Sequence, residues 1–266
     1  MIIEKIEKCL RSRWEVPAKQ NTNAVLLASF PKSGNTWLRF VFSNVIAEKT
    51  NFPQEVNFDN IQLLAPEIRG NRNLDNAIFS NECPTFLKTH FYNTRKCKEY
   101  KSVVLFREPQ KALVSYYKYM TNEQGKNYSS FERFLNSSRV GIDYWSLFHR
   151  SWLSSENTIF VSYDDLIKNQ FVGITQILDL LGYQIEEPII SNSLLLSSRE
   201  NMAKLESLYG DPNKKNTDFK FVSNNENRYA ELFKENPELA RKVKSLTPIY
   251  DALLAKKIKI SEAGES

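Results

Sequence analysis

An apolar run, a short polar loop and the first turn of a helix follow one another in the stretch Ala24-Val25-Leu26-Leu27-Ala28-Ser29-Phe30-Pro31-Lys32-Ser33-Gly34-Asn35-Thr36-Trp37-Leu38. The unpaired backbone N–H groups of a helix N-terminus converge at such a junction, and the helix dipole adds positive potential there. Gly34 allows the backbone to approach an anion closely. Lys32 adds a positive charge, and the hydroxyls of Ser33 and Thr36 are further donors. The stretch therefore predicts a phosphate-binding loop between a strand and a helix.

This loop differs from the usual nucleoside-triphosphate loop, G-x-x-x-x-G-K-[ST], in which the lysine directly follows the last glycine and a hydroxyl beside it binds Mg²⁺. Here Lys32 precedes Gly34 by two residues, so that lysine and Mg²⁺ geometry is not encoded. The order P-K-S-G-x-T-W-L at residues 31–38 resembles the 5′-phosphosulfate loop of the sulfotransferases, enzymes that use 3′-phosphoadenosine 5′-phosphosulfate (PAPS). The resemblance implies that the cosubstrate binds to Lys32, Ser33, Gly34, Asn35, Thr36 and Trp37. On the residues alone, a strand-to-helix turn that carries its lysine by chance stays open.

Length and composition predict a single globular α/β domain. The chain has 266 residues, of which 41% are hydrophobic and 25% charged. We predict one sulfotransferase domain over 1–266, with an N-terminal extension at 1–20 and a frayed tail at 261–266. The net charge of +5 suits a small polyanionic ligand but not a nucleic acid.

Three cysteines without the spacing of a zinc site or a disulfide framework favour a reducing compartment. No apolar run has the length of a membrane span, so we expect a soluble, cytoplasmic protein that binds no membrane.

Strand and helix patterns alternate along the chain, as they do in α/β proteins. Strands are predicted at Ala24–Ser29, Thr85–Thr89, Ser102–Phe106 and Thr158–Val161. Helices are predicted at Thr36–Glu48, Gln110–Met120, Ser130–Asn136, Tyr144–Trp152, Gln170–Leu181 and Pro237–Ala255, and loops that shape an acceptor site at 51–80, 119–144 and 191–216. The predicted fold is a three-layer α/β sandwich like that of the P-loop NTPases, with a central parallel sheet flanked by helices.

The strand Thr85–Thr89 presents Lys88 and His90 at its carboxyl end, where ligands bind in open α/β sheets. Histidine is the usual general base near neutral pH, although a structural role for His90 is equally open on the residues alone. The other histidine, His149, lies in an aromatic helix that predicts a packing or surface role. The order K-T-H resembles the catalytic strand end of cytosolic-type sulfotransferases. It implies that His90 is the base, that Lys32 stabilises the leaving oxygen and that Lys88 neutralises the sulfuryl oxygens.

Arg107 follows a buried strand, and a helix begins at Pro109. A guanidinium grips phosphate bidentately, and Ser115 adds a hydroxyl. The order R-x-P-x-x-x-x-x-S-Y-Y resembles the family's 3′-phosphate motif, which implies that Arg107 and Ser115 bind that group. The segment 160–166 resembles another family segment, which implies an adenine contact for Tyr163.

The resemblance weakens in the last third of the chain. Ser223, Asn224 and Asn225 stand where the family's F-x-R-K-G-x-x-G-D-W motif has Arg, Lys and Gly. Lys220 and Arg228 flank them and are the candidates to replace those cations at the 3′-phosphate. No clear form of the family's dimerisation motif is present, so a monomer and a homodimer both stay open.

We therefore predict a PAPS-dependent sulfotransferase that needs no metal. It would transfer the sulfuryl group to a hydroxyl or an amine of a small organic acceptor and release 3′,5′-ADP. Two alternatives stay open, a small-molecule kinase and a non-catalytic nucleotide-binding protein. Sulfuryl transfer in the presence of EDTA separates the prediction from both.

Overall fold

The structure of the protein is a computed structural model that describes residues 23–68, 74–210, 233 and 237–260. The predicted N-terminal extension and tail, together with Lys220, Arg228 and the 223–225 segment, lie outside the described residues. The division of the chain into one domain stays a prediction.

Four parallel strands form one sheet in the order β2-β1-β3-β4. Their bounds are β1 Ala24–Ser29, β2 Thr85–Thr89, β3 Lys101–Phe106 and β4 Thr158–Ser162, so all four predicted strands are confirmed to within one residue. In the register, Leu26 of β1 pairs with Leu87 and Ser102. All six residues of β1 are buried, as expected for a central strand that is covered on both faces.

Helices connect and cover the strands. Their bounds are α1 Asn35–Lys49, α2 Ile61–Leu64, α3 Pro109–Lys118, α4 Phe131–Leu135, α5 Ile142–Leu153, α6 Tyr163–Lys168, α7 Gln170–Leu181, α8 Glu187–Leu196, α9 Arg199–Tyr209, α10 Pro237–Lys244 and α11 Thr247–Lys256. Short 3₁₀ turns lie at Leu74–Asn76 and Arg95–Glu99, and a π-helical segment at Tyr119–Glu123 extends α3. None of the helices in the described part of the chain is both long and apolar enough to cross a bilayer.

Two hydrophobic cores lie on opposite faces of the sheet because alternate strand residues point to opposite sides. Leu26 and Val104 belong to one core with Trp145 of α5, and Leu27 belongs to the other with residues of α1. On that second face Phe42 of α1 stacks on Phe86 of β2, with ring centroids 3.8 Å apart and an interplanar angle of 10°. Burying one such ring contributes about 1.5–3 kcal/mol, which fixes α1 against the sheet. The predicted helix–sheet–helix layering is confirmed.

The prediction of one helix over Pro237–Ala255 is wrong. The structure has two helices there, α10 and α11, which are separated at Ser245 and Leu246. Pro248 has no N–H to donate and disfavours the helical conformation at the residue before it, so a continuous helix cannot pass through it. Leu246 is buried and its carbonyl accepts the N–H of Ile249 at the start of the second helix.

The prediction of a loop over 191–216 is wrong as far as Gly210, because α8 and α9 occupy most of that stretch. The Ser and Asn content of the stretch suggests a loop when taken alone. In the folded chain Asn44 of α1 donates its side-chain amide to the hydroxyl of Ser197 at the end of α8, at 3.1 Å. Packing against α1 therefore stabilises a helix that local sequence does not indicate.

Parallel strands place the residues that follow them at one edge of the sheet. The 30–34 loop follows β1, His90 follows β2, Arg107 follows β3 and Tyr163 follows β4. Every predicted site residue in the described part of the chain lies at this carboxyl edge or on the helix that begins there.

Candidate active site

The loop from β1 to α1 has two residues in the left-handed region. Lys32 has φ 65° and Gly34 has φ 92°. The first intrahelical bond of α1 runs from the N–H of Leu38 to the carbonyl of Gly34, at 3.2 Å. The N–H groups of the first turn, at residues 35–37, thus have no partner within the helix and point towards the sheet edge. The predicted phosphate-binding geometry of strand, turn and helix N-terminus is present.

The Asn35 side chain secures this loop from below. Its amide group donates to the hydroxyl of Ser29 at 3.0 Å and to the carbonyl of Leu27 at 3.3 Å. The buried side chain of Asn35 thus holds the start of α1 against the end of β1. Its backbone N–H, which has no partner within the helix, is the donor that Asn35 can offer to a ligand. The Ser33 hydroxyl is buried and has no hydrogen-bond partner among the described residues. A buried hydroxyl of this kind fits a loop that closes on a polar ligand.

The ring of Tyr163, which follows β4, contacts residues that follow β1 and β3. A Cβ atom added to Gly34 would lie 2.2 Å from the Tyr163 ring, so the ring rests directly on the loop backbone. The guanidinium of Arg107 lies over the same ring, with its Cζ atom 5.0 Å from the centroid. The Arg107 Nε is buried and has no hydrogen-bond partner among the described residues. This stack aligns the Arg107 fork beside the loop, and Ser115 lies half-buried on the following helix, α3.

Lys32 lies in a strongly charged environment. Burial lowers the pKa of Lys32 to about 8. Glu123 and Glu206 oppose that effect on the pKa, whereas the positive charges of Lys88 and Arg107 reinforce it. The Lys32 ammonium also lies 5.0 Å from the centroid of the Tyr119 ring. The structure thus brings Lys32, Lys88 and Arg107 into one electrostatic cluster.

Hydrogen bonds fix the orientation of His90. Its Nδ1–H donates to the carbonyl of Ser29 at 2.8 Å, which leaves Nε2 as the nitrogen with a free lone pair. The hydroxyl of Tyr144 donates to the His90 carbonyl at 2.6 Å. Burial lowers the pKa of His90 to about 4, and the positive charge of Lys88 acts in the same direction. The ring is therefore neutral at neutral pH and can accept a proton.

The Lys88 ammonium pairs with the carboxylate of Glu67, with Nζ and Oε2 3.0 Å apart. Both side chains are largely buried, at 14% and 23% exposure. Sequence reasoning missed Glu67, and it also missed Glu123 and Glu206 beside Lys32. No local motif marks these carboxylates, because each reaches the site through long-range packing.

His149 is fully buried, and its Nδ1–H donates to the carbonyl of Trp145 at 2.8 Å. Its ring packs against Trp145, Phe148 and Phe30. The packing role predicted for His149 agrees with this position. No cluster of three or more His, Cys, Asp or Glu side chains that would hold a metal ion occurs among the described residues.

Residues 22–239 match the family model of the sulfotransferase domain. The flavonol 3-sulfotransferase of Flaveria bidentis is 26% identical over 219 residues, which is 71% of this chain and 67% of that protein. For other relatives the chain covers 62% of their length.

Two solved structures share the fold. A retinol dehydratase in complex with retinol and PAP (3′,5′-ADP) superposes with a TM-score of 0.62 and 16% identity, covering 94% of this chain and 86% of that one. The mouse sulfotransferase SULT7A1 complexed with PAP has a TM-score of 0.56 and 19% identity, covering 91% and 94%. The predicted P-loop-like fold is confirmed.

Proposed function

Because the chain belongs to the sulfotransferase family, we propose that it transfers the sulfuryl group of PAPS to a small organic acceptor and releases 3′,5′-ADP. The prediction of a sulfotransferase is confirmed at the level of the family. The observation that carries the specific reaction is the convergence of Lys32, Lys88, Arg107 and a neutral His90 at one edge of the sheet. A polyanionic donor needs fixed cations, and general-base catalysis needs a nitrogen with a free lone pair.

The donor would lie across the four strand ends. The backbone N–H groups of the loop and first helical turn, at residues 33–37, and the Lys32 ammonium hold the 5′-phosphate end. Arg107 and Ser115 hold the 3′-phosphate, and Tyr163 contacts the adenine. The buried, unpartnered Ser33 hydroxyl and Arg107 Nε fit such a ligand because each is a polar group at this edge that lacks a partner among the described residues.

In the reaction, His90 Nε2 takes the proton from the acceptor hydroxyl or amine. The acceptor atom forms a bond to sulfur while the bond from sulfur to the bridging oxygen breaks. Lys32 stabilises the charge that develops on that oxygen, and Lys88 neutralises the sulfuryl oxygens. The proton ends on His90 and the negative charge on 3′,5′-ADP. In this proposal Lys32 and Lys88 stabilise the developing charge and no metal takes part.

Lys220 and Arg228 complete the 3′-phosphate site in this proposal. They replace the Arg and Lys that the family has at the positions of Ser223 and Asn224. The acceptor is a small organic molecule, and the protein acts as a monomer or a homodimer. A cytoplasmic location agrees with the buried thiols of Cys83 and Cys97, which form no disulfide.

The test incubates the full chain with labelled PAPS, EDTA and a panel of phenols, alcohols and amines, and follows both label transfer and 3′,5′-ADP release. We expect transfer that EDTA does not inhibit, and a loss of at least about 10²-fold in kcat for His90→Ala, the usual contribution of a general base. Nucleotide binding should stay near wild type in that variant. Turnover of ATP with Mg²⁺ but not of PAPS would instead identify a kinase. Tight 3′,5′-ADP binding without transfer to any acceptor would favour a non-catalytic protein.

A further inference from the structure

Glu67 is held opposite Lys88 by the backbone. The N–H of Lys88 donates to the carbonyl of Pro66 at 2.8 Å, and the N–H of Ile68 donates to the carbonyl of Lys88 at 3.0 Å. These two bonds form a parallel bridge between Glu67 and Lys88 beside β2. The N–H of Glu67 itself donates to the side-chain carbonyl of Gln62 at 3.0 Å. Hydrogen bonds to β2 and to Gln62 therefore fix the backbone of Glu67.

The side chain of Glu67 lies within a group of cations. Its Oε2 accepts from the Lys88 ammonium at 3.0 Å, and Arg39 of α1 anchors the same segment by donating its Nε to the carbonyl of Ala65. Burial works to raise the pKa of Glu67, but the positive charge of Lys88, with that of Arg39, outweighs burial, so the pKa lies below its usual value. Glu67 is thus an ionised carboxylate at neutral pH.

Proton transfer to His90 changes the charge balance of this group. Lys88 lies in β2 and His90 follows the end of that strand, and the charge of Lys88 acts on the His90 ring. Before transfer, the Glu67 carboxylate pairs with the Lys88 ammonium beside a neutral His90 ring. The charge of Arg39 also acts on that ring, and the charge of Lys88 acts on Lys32. After transfer the ring is a second cation next to Lys88. The carboxylate of Glu67 is the negative charge that favours the protonated ring, whereas Lys88 and Arg39 disfavour it.

We propose that Glu67 is a positioning residue for the transfer reaction, which holds the Lys88 ammonium in place and compensates the positive charge formed on His90. The inference rests on the proposed function. Glu67 does not receive the proton; it acts through Lys88 and His90. The energetic reason is that a partly buried cation pair without a nearby carboxylate is strongly unfavourable.

The test compares Glu67→Gln with Glu67→Asp and with the control Glu186→Gln. The control removes the same charge from an exposed ion pair, that of Lys49 and Glu186, at the far end of α1. For Glu67→Gln we expect kcat to fall by about 10-fold or more, a share of the usual general-base contribution. The Kd for 3′,5′-ADP should stay within about twofold, because Lys88 faces the sulfuryl group that this nucleotide lacks. Glu67→Asp, which keeps the charge, should recover part of the lost kcat.

A second measurement does not depend on turnover. The chain has only two histidines, so the imidazole NMR signals of His90 and His149 can be assigned with a single His90 variant and titrated. In Glu67→Gln the His90 midpoint should move below its wild-type value, because the charge that favours the protonated ring is gone, while the control leaves it in place. An unchanged His90 midpoint together with a kcat equal to that of the control overturns the inference. If the wild-type chain transfers no sulfuryl group, the proposed function fails, and the midpoint shift still decides whether Glu67 compensates the charge on His90.

Discussion

Replacement of Gly34 by alanine tests the contact between the loop and Tyr163. An alanine there must adopt φ 92°, and its Cβ atom would lie 2.2 Å from Cδ2 and Cε2 of Tyr163. The backbone term alone costs about 1–2 kcal/mol for an L-residue in the left-handed region. The steric term cannot be relieved without moving the Tyr163 ring, which carries the Arg107 guanidinium with it.

Gly182 is the matched control for that replacement. It has φ 94°, and the nearest atom to its added Cβ is the Lys101 ammonium at 3.9 Å. Gly182 is the C-terminal cap of α7 and lies near Lys101, the first residue of β3. The first residues of the strands are at the edge of the sheet opposite to the site. Gly182→Ala therefore introduces the same backbone strain without crowding.

We expect Gly182→Ala to lose about 1–2 kcal/mol of unfolding free energy in urea denaturation, and Gly34→Ala to lose more than that because the crowding against Tyr163 adds to the backbone term. Only Gly34→Ala should also weaken 3′,5′-ADP binding, by about 10-fold or more, since displacing one charge-assisted phosphate contact costs about 1.5–3 kcal/mol. Calorimetric titration measures this. If both variants bound 3′,5′-ADP as tightly as wild type, the stacking of Tyr163 on the loop would not position Arg107. A double-mutant cycle with Tyr163→Ala adds a second check, because removing the ring should remove the extra cost of the Gly34 change.

Four further predictions concern ionisable groups of the protein. Lys32→Ala should lower kcat by about 10²-fold, as the loss of one oxyanion donor does. A change in the KM for PAPS alone would contradict the proposed role of Lys32 at the leaving oxygen. In the wild-type protein, kcat/KM should fall above pH 8, because burial lowers the pKa of Lys32 to about 8 and the lysine then loses its positive charge. Arg107→Ala should strongly reduce the preference for 3′,5′-ADP over 5′-AMP in calorimetry, since the role proposed for the guanidinium is to bind the 3′-phosphate. Equal preference in variant and wild type would contradict that role. Finally, burial lowers the pKa of His90 to about 4 and that of His149 to about 3, so below pH 6.5 the unfolded chain binds more protons than the folded one. The unfolding free energy should fall as the pH drops from 6.5 towards 4, by as much as about 3 kcal/mol per histidine. A flat profile in urea titrations at pH 7, 6 and 5 would show that the pKa values of the two rings are the same in the folded and the unfolded chain.

Local pattern was enough to predict the sheet and the phosphate loop. The four strands are continuous apolar runs, and α1 begins directly after Gly34, so neighbouring residues alone carry the signal. The order of motifs along the chain also predicts that Lys32, Lys88 and Arg107 lie together, because parallel strands bring their carboxyl ends to one edge. The break at Pro248 was equally local, and the prediction of a continuous helix overlooked it.

Other features depend on residues far apart in the chain. The Ser and Asn content of 191–216 indicates a loop, yet α8 forms because it packs against α1, as the bond between Asn44 and Ser197 shows. Tyr163 is predicted to contact adenine, but its position on the backbone of Gly34, 129 residues away in sequence, follows only from the adjacency of β1, β3 and β4.

By itself, the sequence determines the strands, the phosphate loop, the family and the cations of the site, because apolar periodicity, caps and motif spacing act between near neighbours. The tertiary structure alone decides which charges face those cations: Glu67 opposite Lys88, and Glu123 and Glu206 near Lys32. It also decides that His90 is neutral, with its Nδ1–H on the carbonyl of Ser29. Burial and Coulomb interaction depend on distance in space, and the register of the sheet sets that distance.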